Sequence, residues 1–570
     1  MRMYCAGPVV AVTLLGLVSP AVAATWNCYS IGDIENATRN YASGDDIVIY
    51  PGTYYEQAVL QLNRGAVTFR GSTGNRDDVI IQGPGQNNNT MPTESIIVIS
   101  DNVTIRDLTI RGFYTNGIHI RGENDADAMT VRNVKILDCG ERYIKGSTNT
   151  GSSTSISDNV LIEDVWMEQL TPMAGHADNN YVGGIDAMGI NAWTIRRVTA
   201  KNIKGATGGG RGGIFLWNGA TNCVVERNTV YGGDTGIAMG NPAAPGHAYL
   251  PGLHVSGGIV RNNMVTRGAY IGLELCFTSN LKVYHNSVYS ADADYFRTVH
   301  VYDSAGQTNN LQIHYCVVRG QLFDNASGSF TTTGSIIGTA PQSTWFVDYT
   351  TANLHLASAA TSCFDGAPQL ADVTGDFDGE TRPFRPDIGA DESFIAFKQD
   401  SGADGILCID VENCHSYLNQ GGDSWSLVTS PTGYAGVGAL QSLPNDGTNR
   451  NADYLTMAPR MNFWVKFNKT GTHYVWVRGY AASGSDDSCH AGLDNGAVST
   501  ADRIDGFGTG AYRWTKHTID GTDATMSIPS AVERQLNLWM REDGLVIDRV
   551  LLTTNASYTP SGAGPAQSPR

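Results

Sequence analysis

The sequence predicts an all-β protein whose larger part is a coiled sheet. Between about residues 95 and 320, short strands of alternating apolar and polar residues recur once every 23 to 41 residues. Each unit carries two such strands with Gly- and Asn-rich turns, a pattern typical of a sheet that coils along one axis. The chain has 570 residues and 66 glycines. It has no long stretch of helical periodicity, which favours strands over helices.

The first 23 residues are predicted to be a secretory signal peptide. Arg2 precedes the apolar run VVAVTLLGLV, and residues 21–23 form the small-residue cleavage site Ala-Val-Ala, as in signal peptides. The run is too short to be a stable membrane anchor. We therefore expect a secreted protein, extracellular or periplasmic, that does not act at a membrane.

The composition excludes several classes of partner. A net charge of −17 at pH 7 argues against nucleic acid and anionic membranes. An acidic polysaccharide stays compatible with this charge, because a basic cleft or bound Ca²⁺ can override it locally. We expect a monomer that uses no organic cofactor.

Nine cysteines follow the signal peptide, and an exported protein can form disulfides. No C-x-x-C pair occurs, so the spacing does not indicate a zinc site. One segment holds three cysteines, two of which could form a disulfide. The repeats hold four more, which we interpret as small apolar core residues. These two groups are Cys408, Cys414 and Cys489, and Cys139, Cys223, Cys276 and Cys316.

The outward side of the repeat strands can be read from the pleat. In GIHIR (117–121) both isoleucines must point into the coil, so His119 and Arg121 point outward. The same register in the other coils predicts two outward columns with about 4.8 Å between rungs. The first column is His119, Lys145, Asp186, Phe215, Ala238, Glu274 and His300, and the second is Arg121, Ser147, Met188, Trp217, Gly240, Cys276 and Tyr302.

The second strand of each coil supports this register. Asn228, Asn263 and Asn286 fall at the same turn position in three consecutive coils. Buried amides stacked in this way can hydrogen-bond to one another along the coil axis. We therefore predict an asparagine ladder inside the solenoid.

The outward columns concentrate charged and aromatic side chains, which can hydrogen-bond hydroxyl groups and stack on sugar rings. We interpret this face as a carbohydrate cleft, with an ordinary solvated face as the alternative. Two insertions, TPMAGHADNNYVGG and GNPAAPGHAYLPG, are expected to wall the cleft. His176 and Asp178 in the first could bind a cation together with Asp186, although such loop residues often only form turns.

The segment DDIVIYPGTYYEQAVLQLNRGAVTFRGSTGNRDDVIIQG (45–82) resembles the opening coils of the right-handed parallel β-helix superfamily that includes pectate lyases. The resemblance extends to about residue 394 and ends with DGETRPFRPDIGADE (378–392), which is similar to the closing segment of many exported β-helix proteins. It implies a right-handed parallel β-helix over residues 24–397, acting as a catalytic domain. The polar stretch KQDSGADG is expected to be a linker over 398–405.

A second domain is predicted over residues 406–556, where alternating segments such as NFWVKFN indicate a β-sandwich. LNLWMREDGLVIDRVLLTT (536–554) resembles the last strands of carbohydrate-binding jelly rolls of the malectin-like and family 6/35 type. That resemblance implies a glycan-binding module and a structural Ca²⁺ held by Glu412 and Asp548. Residues 557–570 are expected to be a flexible tail.

The resemblance implies a lyase that cleaves a uronate-containing polysaccharide by β-elimination. This chemistry needs a base, a group that neutralises the uronate carboxylate, and an acid for the leaving oxygen. Lys145 could be base or neutraliser together with His119 and Arg121, and Arg211 is a further substrate-binding candidate. At the other end Glu274, His300 and Tyr302 could supply an acid/base pair, with Trp217 between the two ends as a stacking platform.

Two other functions stay open. A glycoside hydrolase needs two carboxylates about 5–9.5 Å apart, whereas Asp186 and Glu274 lie three rungs apart, about 14 Å. The second alternative is a surface protein that binds glycans without cleaving them. The paired-Asp motifs of polygalacturonases and the signatures of the familiar β-helix lyases are absent from the sequence.

Overall fold

A computed structural model describes residues 23–173 and 180–570, and these residues form two β domains. The predicted order, a β-helix followed by a β-sandwich, is confirmed. In the described part of the β-helix the first sheet has 21 parallel strands: Thr25–Cys28, Asp46–Ile49, Gly52–Tyr55, Thr68–Gly71, Val79–Gln82, Thr104–Phe113, Thr130–Cys139, Leu161–Glu163, Trp166–Glu168, Thr194–Arg196, Thr199–Lys201, Val224–Glu226, Thr229–Tyr231, Ile259–Arg261, Met264–Thr266, Lys282–Tyr284, Ser287–Tyr289, Leu311–His314, Val317–Arg319, Phe330–Thr331 and Ile336–Gly338.

The second sheet carries the predicted columns on its outer side. Ile118, Ile144 and Ile185 stack on its inner side in consecutive coils and are fully buried, so the core fixes which side chains face outward. Within the described residues its 13 strands are Leu60–Leu62, Ile96–Val98, Asn116–Arg121, Arg142–Ser147, Ser157–Asp158, Gly183–Asn191, Gly212–Thr221, Thr235–Met239, Val255–Ser256, Ile271–Cys276, Thr278–Ser279, Val299–Tyr302 and Leu322–Asn325.

An amphipathic helix, Ile31–Asn40, packs on the first coils. Ser30 and Asp33 form a capping box at its N-terminus, and Ile34 and Ala37 are buried against the solenoid core. A helix at this place covers the first open end of the coil, which would otherwise expose apolar surface and unpaired strand edges.

The predicted asparagine ladder is present. Asn228 Nδ2 donates to Asn263 Oδ1, and Asn263 Nδ2 donates to Asn286 Oδ1, both over 2.9 Å. All three side chains are fully buried. Cys316 continues the stack, because the backbone N–H of Asn286 donates to its sulfur over 3.4 Å.

The segment 378–392 closes the β-helix around a buried arginine. Arg382 is paired with Glu392 over 3.1 Å and also donates to the carbonyl of Gly389. The same closing region contains a small hairpin and two of the short 3₁₀ turns. The hairpin strands are Phe346–Asp348 and Asn353–Leu356. In the described part of the chain the 3₁₀ turns are Gly122–Asn124, Ser343–Trp345, Tyr349–Thr351 and Val411–Asn413.

The second domain is a sandwich of two mainly antiparallel sheets around its own apolar core. A short helix, Tyr454–Met457, packs at its side. One sheet contains Phe397–Lys398, Ser416–Leu418, Arg460–Lys466, Cys489–Leu493, Gly496–Ala497 and Glu533–Met540 among the described residues, and the other contains Leu407–Asp410, Ser424–Val428, Ala439–Leu443, Gly471–Tyr480, Arg513–Thr515, Thr525–Ile528 and Val546–Thr553.

The stretches predicted to be a linker and a flexible tail both pack on the sandwich. In the 398–405 stretch, Gln399 is buried and its amide hydrogen-bonds to His473 over 2.8 Å. In the 557–570 stretch, Ser568 exchanges two hydrogen bonds with Cys408. Arg570 is buried and pairs with Asp365 of the β-helix domain over 2.6 Å.

The disulfide considered for the second domain does not form. All nine described cysteines are free and buried. Cys408 packs with Trp476 and Leu551, whereas Cys414 and Cys489 belong to the central core of the sandwich. In the described residues no helix is long and apolar enough to cross a membrane.

Removal of one ladder amide should destabilise the β-helix markedly. Asn263→Ala removes the oxygen that accepts from both the backbone N–H and the side-chain amide of Asn228, so we expect the free energy of unfolding to fall by about 2–4 kcal/mol. Thermal and denaturant unfolding would measure the loss. Asn325→Ala, on an exposed strand position, is the matched control and should change stability little. An equal effect of both substitutions would contradict a structural role for the ladder.

Candidate functional site

The second sheet presents the predicted outward column as one continuous row. Each strand pairs with the next, so the backbone positions of the column lie directly beside one another along the coil axis. The observed order is His119, Lys145, Asp186, Phe215, Ala238, Glu274, His300 and Phe323. In the second column the structure pairs Arg121 with Ser147, Met188 with Trp217, and Cys276 with Tyr302.

Asp186 is a buried anion held by two cations. Its carboxylate accepts a hydrogen bond from Arg142 and lies 3.6 Å from Lys145 Nζ. Trp217 Nε1 donates to its second oxygen over 2.9 Å. Although burial opposes ionisation, the charges of Arg142 and Lys145 hold the pKa of Asp186 below its ordinary value.

This ion pairing revises two predicted roles. Lys145 Nζ lies beside the buried carboxylate of Asp186, and this position suits it to binding an anion in the groove rather than to acting as the base. Asp186 already has cationic partners, which would repel a metal ion. Asp178 and His176, the other members of the predicted cation site, lie outside the described residues.

Tyr181 completes this end of the face and was not identified from the sequence. Its side chain is 39% exposed, and its hydroxyl lies 3.3 Å from Lys145 Nζ. The ring stacks on the guanidinium of Arg142, 3.7 Å from its centre. The only signal for it in the sequence is its position, two residues before the strand Gly183–Asn191, at the edge where several other loops enter the sheet.

The middle of the face is a groove with an aromatic floor. Phe215 and Trp217 stack with ring centres 5.1 Å apart. A cavity of about 160 Å³ opens beside Phe215 and is bordered by Arg211, Tyr270 and Glu274. The predicted substrate-binding residues Trp217 and Arg211 therefore lie at this groove.

Arg297 is a further cation beside Arg211, at the edge where the chain enters the strands of the second sheet. Arg297 Nη1 donates to the hydroxyl of Tyr270 over 2.7 Å. Its guanidinium also lies 4.9 Å from the ring centre of Phe296. These contacts orient Arg297 along the same edge as Tyr181 and Arg211.

His119 and Arg121 lie one rung beyond Lys145, in a polar chain. His119 hydrogen-bonds to Glu94 and to Ser147, both over 2.9 Å, and Ser147 donates to Glu123 over 2.7 Å. Burial alone would raise the pKa of Glu94, but hydrogen bonds from His119 and Asn116 hold it below its ordinary value. Arg121 lies 3.9 Å from Glu123.

Glu274, His300 and Tyr302 gather at the opposite end. Glu274 Oε1 lies 3.5 Å from His300 Nδ1, and the imidazole stacks on Phe323. Tyr302 packs edge-on against Phe277. This group lies four rungs from Lys145, about 19 Å, so the predicted catalytic residues form two separate clusters.

The second insertion folds along the exit edge of the strands. His247 hydrogen-bonds to Thr148 over 3.1 Å, and the backbone N–H of Ala248 donates to the carbonyl of Thr150. His254 accepts from the backbone of Asn218, next to Trp217. The loop therefore closes the side of the groove opposite Tyr181 and Arg211.

The pair expected to hold Ca²⁺ in the second domain lies close to cationic side chains. Asp548 accepts hydrogen bonds from Arg478 and from the backbone N–H of Ala435. Glu412 is buried, and one of its oxygens accepts from the backbone of Val437 while the other has no hydrogen-bond partner. A guanidinium thus occupies the place that a cation would take at Asp548, and Ca²⁺ binding there stays a prediction.

Two family models match parts of the chain. Residues 183–356 match a right-handed β-helix region, which together with the observed strand ladders shows a right-handed parallel β-helix. Residues 402–567 match the C-terminal domain of glycosyl hydrolase family 115. An uncharacterized protein, P23, from Formosa agariphila is 31% identical over 113 residues, which is 18% of this chain and 27% of that protein.

Solved structures with similar folds are distant. An alginate lyase from Paenibacillus sp. is 15% identical with a TM-score of 0.35, over 54% of this chain and 97% of that one. A polygalacturonase from Erwinia carotovora is 12% identical with a TM-score of 0.31, over 56% of this chain and 94% of that one. Neither similarity identifies an activity for this chain.

Glu412 should make the stability of the second domain depend on pH. Burial, with the nearby charge of Asp410 adding to it, raises the pKa of Glu412 to about 8. The folded state therefore holds this proton more tightly than the unfolded state, so its contribution to stability is lost as pH rises from about 5 to about 8. Glu412→Gln keeps the neutral form, and at about pH 8 it should be more stable than wild type by about 2 kcal/mol or more.

Denaturant unfolding across this pH range measures the effect. The exposed Glu533 of the same domain provides the control Glu533→Gln, which should follow wild type. A steep decline that persists unchanged in Glu412→Gln would show that other groups cause it. If Glu412 and Asp548 bind Ca²⁺, added Ca²⁺ should raise the melting temperature of wild type but not of Glu412→Gln.

Proposed function

We propose that this chain is a polysaccharide-cleaving enzyme, exported from the cell, that acts on a uronate-containing polysaccharide by β-elimination. The observation that carries the proposal is the pairing of Lys145 Nζ with the hydroxyl of Tyr181 over 3.3 Å at an open groove. Buried Asp186 and Arg142 hold both groups from below. A fixed cation beside an exposed phenol is suited to proton transfer next to a carboxylate.

The reaction assigns one task to each of the two groups. Lys145 binds the uronate carboxylate and stabilises the negative charge that spreads onto it when the α-proton leaves. Tyr181, as phenolate, takes that proton and then donates it to the departing glycosidic oxygen. The C–H and C–O bonds break, a carbon–carbon double bond forms in conjugation with the carboxylate, and no water is consumed.

The rest of the groove supports an acidic sugar chain as substrate. Trp217 is partly exposed and can offer its ring face to a sugar, with the buried Phe215 stacked beneath it. Arg211 and Arg297 stand at the edge of this groove. Aromatic floors with a few charged side chains are typical of carbohydrate sites. The cations also explain how a chain of net charge −17 could bind an anionic polymer.

The geometry gives less support to a glycoside hydrolase. Asp186 and Glu274 are three rungs apart, and the pairing of Asp186 with Arg142 and Lys145 leaves it no proton to donate. Asp303, a possible partner for Glu274, accepts hydrogen bonds from loop residues such as Gly306 and Ser327. Although burial opposes the shift, these bonds lower its pKa to about 2, so Asp303 is suited to holding the loop.

Elimination is tested by the ultraviolet absorbance of the conjugated double bond during incubation with a panel of acidic polysaccharides. Tyr181→Phe should lower kcat about 100-fold or more, and Lys145→Met should lose most turnover on the same substrate. The matched controls are Tyr231→Phe and Lys201→Met, which make the same changes on the first sheet, and both should keep wild-type activity.

Other outcomes of the same assay identify the alternatives. New reducing ends without the absorbance would indicate a hydrolase. Binding to a polysaccharide without either signal would indicate a protein that only binds glycans. Full activity of Tyr181→Phe would show that the reaction centre lies elsewhere in the groove.

The same proposal assigns substrate attachment to the second domain. Trp464 is partly exposed on the Arg460–Lys466 strand and pairs with Gln535 of the neighbouring strand, an aromatic and amide combination that suits sugar binding. In pull-down experiments with insoluble polysaccharide, full-length Trp464→Ala should bind more weakly while its turnover of soluble chains stays unchanged. Unaltered retention would place attachment on another surface.

A further inference from the structure

We infer that Glu274, Cys276 and His300 form a binding site for one divalent transition-metal ion, of the zinc type, at the end of the groove. The inference is independent of the proposed elimination, whose reaction centre lies four rungs away. It rests on the positions and chemistry of these three side chains.

The three ligand atoms are close enough to share one ion. A carboxylate oxygen of Glu274, the sulfur of Cys276 and a ring nitrogen of His300 all lie within 4.8 Å of one another. Glu274 Oε1 and His300 Nδ1 are 3.5 Å apart, which is long for a hydrogen bond. Two ligands about 2.0–2.1 Å from a tetrahedral zinc ion lie about 3.4 Å apart, which matches this separation.

His300 provides an independent sign that a ligand belongs here. Its side chain is only 6% exposed, and Nδ1 is buried without a hydrogen-bond partner. Stacking on Phe323, with ring centres 5.5 Å apart, fixes the imidazole so that this nitrogen stays directed at Glu274. Buried polar atoms are almost always satisfied in native proteins, and a metal ion would satisfy this one.

The donor set selects the class of metal. Thiolate and imidazole ligands together favour zinc and its neighbours in the first transition series over Ca²⁺ or Mg²⁺, which prefer oxygen. Three protein ligands leave a fourth position of a tetrahedral ion for water or a substrate oxygen. Because Glu274 also borders the cavity beside Phe215, that position would face the groove.

Another cluster of similar composition lacks this sign. His355, Asp378 and Asp391 also lie within ligand distance of one another. There, however, the imidazole of His355 already hydrogen-bonds to Asp378 over 2.8 Å. The unpartnered nitrogen therefore distinguishes the site at His300.

Cobalt substitution tests the site without any measurement of catalysis. Full-length protein is stripped with a chelator and titrated with Co²⁺, which should give one equivalent of binding with a thiolate-to-cobalt charge-transfer band in the near ultraviolet. Cys276→Ser should abolish that band. Glu274→Gln, nearly the same shape as the native residue, should weaken Zn²⁺ binding about tenfold or more in competition titrations.

Cys316→Ser is the matched control, since this thiol is also buried but lies in the asparagine ladder, where a serine hydroxyl can donate to the carbonyl of Val283 as the thiol does. It should keep the full cobalt spectrum. Circular dichroism would establish whether each variant is folded. If Cys276→Ser does not fold, the metal affinity of Glu274→Gln tests the inference instead. Absence of a thiolate band in wild type, or an unchanged band and affinity in the folded variants, would overturn the inference whatever the enzyme assay shows.

Discussion

The backbone hydrogen bonds between successive coils set one register for the whole β-helix. Each strand of the second sheet must lie beside the strand of the previous coil, with its apolar residues directed inward, as Ile144 lies between Ile118 and Ile185. A shift by one residue would turn every apolar side chain outward. Lys145 therefore has to stand beside Asp186, and Glu274 beside His300, whatever the chemistry of these groups.

The buried charge of Asp186 organises the functional end of that register. Arg142 and Asp186 are almost completely excluded from water, and a buried charge is tolerated only when it is paired and hydrogen-bonded. Trp217 and Lys145 meet this demand from the groove side. The arrangement fixes the mostly buried ammonium group of Lys145 at the groove of an otherwise acidic protein, and it suits Asp186 to positioning this cation rather than to donating a proton.

Periodic features could be predicted from the sequence, and features that depend on loops and charges could not. The pleat of GIHIR located His119, and the spacing of Asn228 and Asn286 indicated the ladder. Tyr181 escaped because it lies in a loop, where no period marks its direction. The pairing state of Lys145 could not be read from its position, because Arg142 reaches Asp186 from the neighbouring coil. The zinc-type cluster has no sequence motif, since its ligands come from two rungs.

At the interface between the two domains, each domain inserts a side chain into the other. Phe384 of the closing segment packs in the core of the sandwich and stacks on Tyr417, with ring centres 4.3 Å apart. In return, Arg570 from the sandwich side reaches Asp365 of the β-helix domain. A cut at residue 400 would thus leave the N-terminal part with both the apolar ring of Phe384 exposed and the buried carboxylate of Asp365 unpaired. A sandwich transplanted to another protein would have to include the part of the closing segment that packs in its core. The two domains are therefore distinct folds, but no single cut in the sequence separates them cleanly.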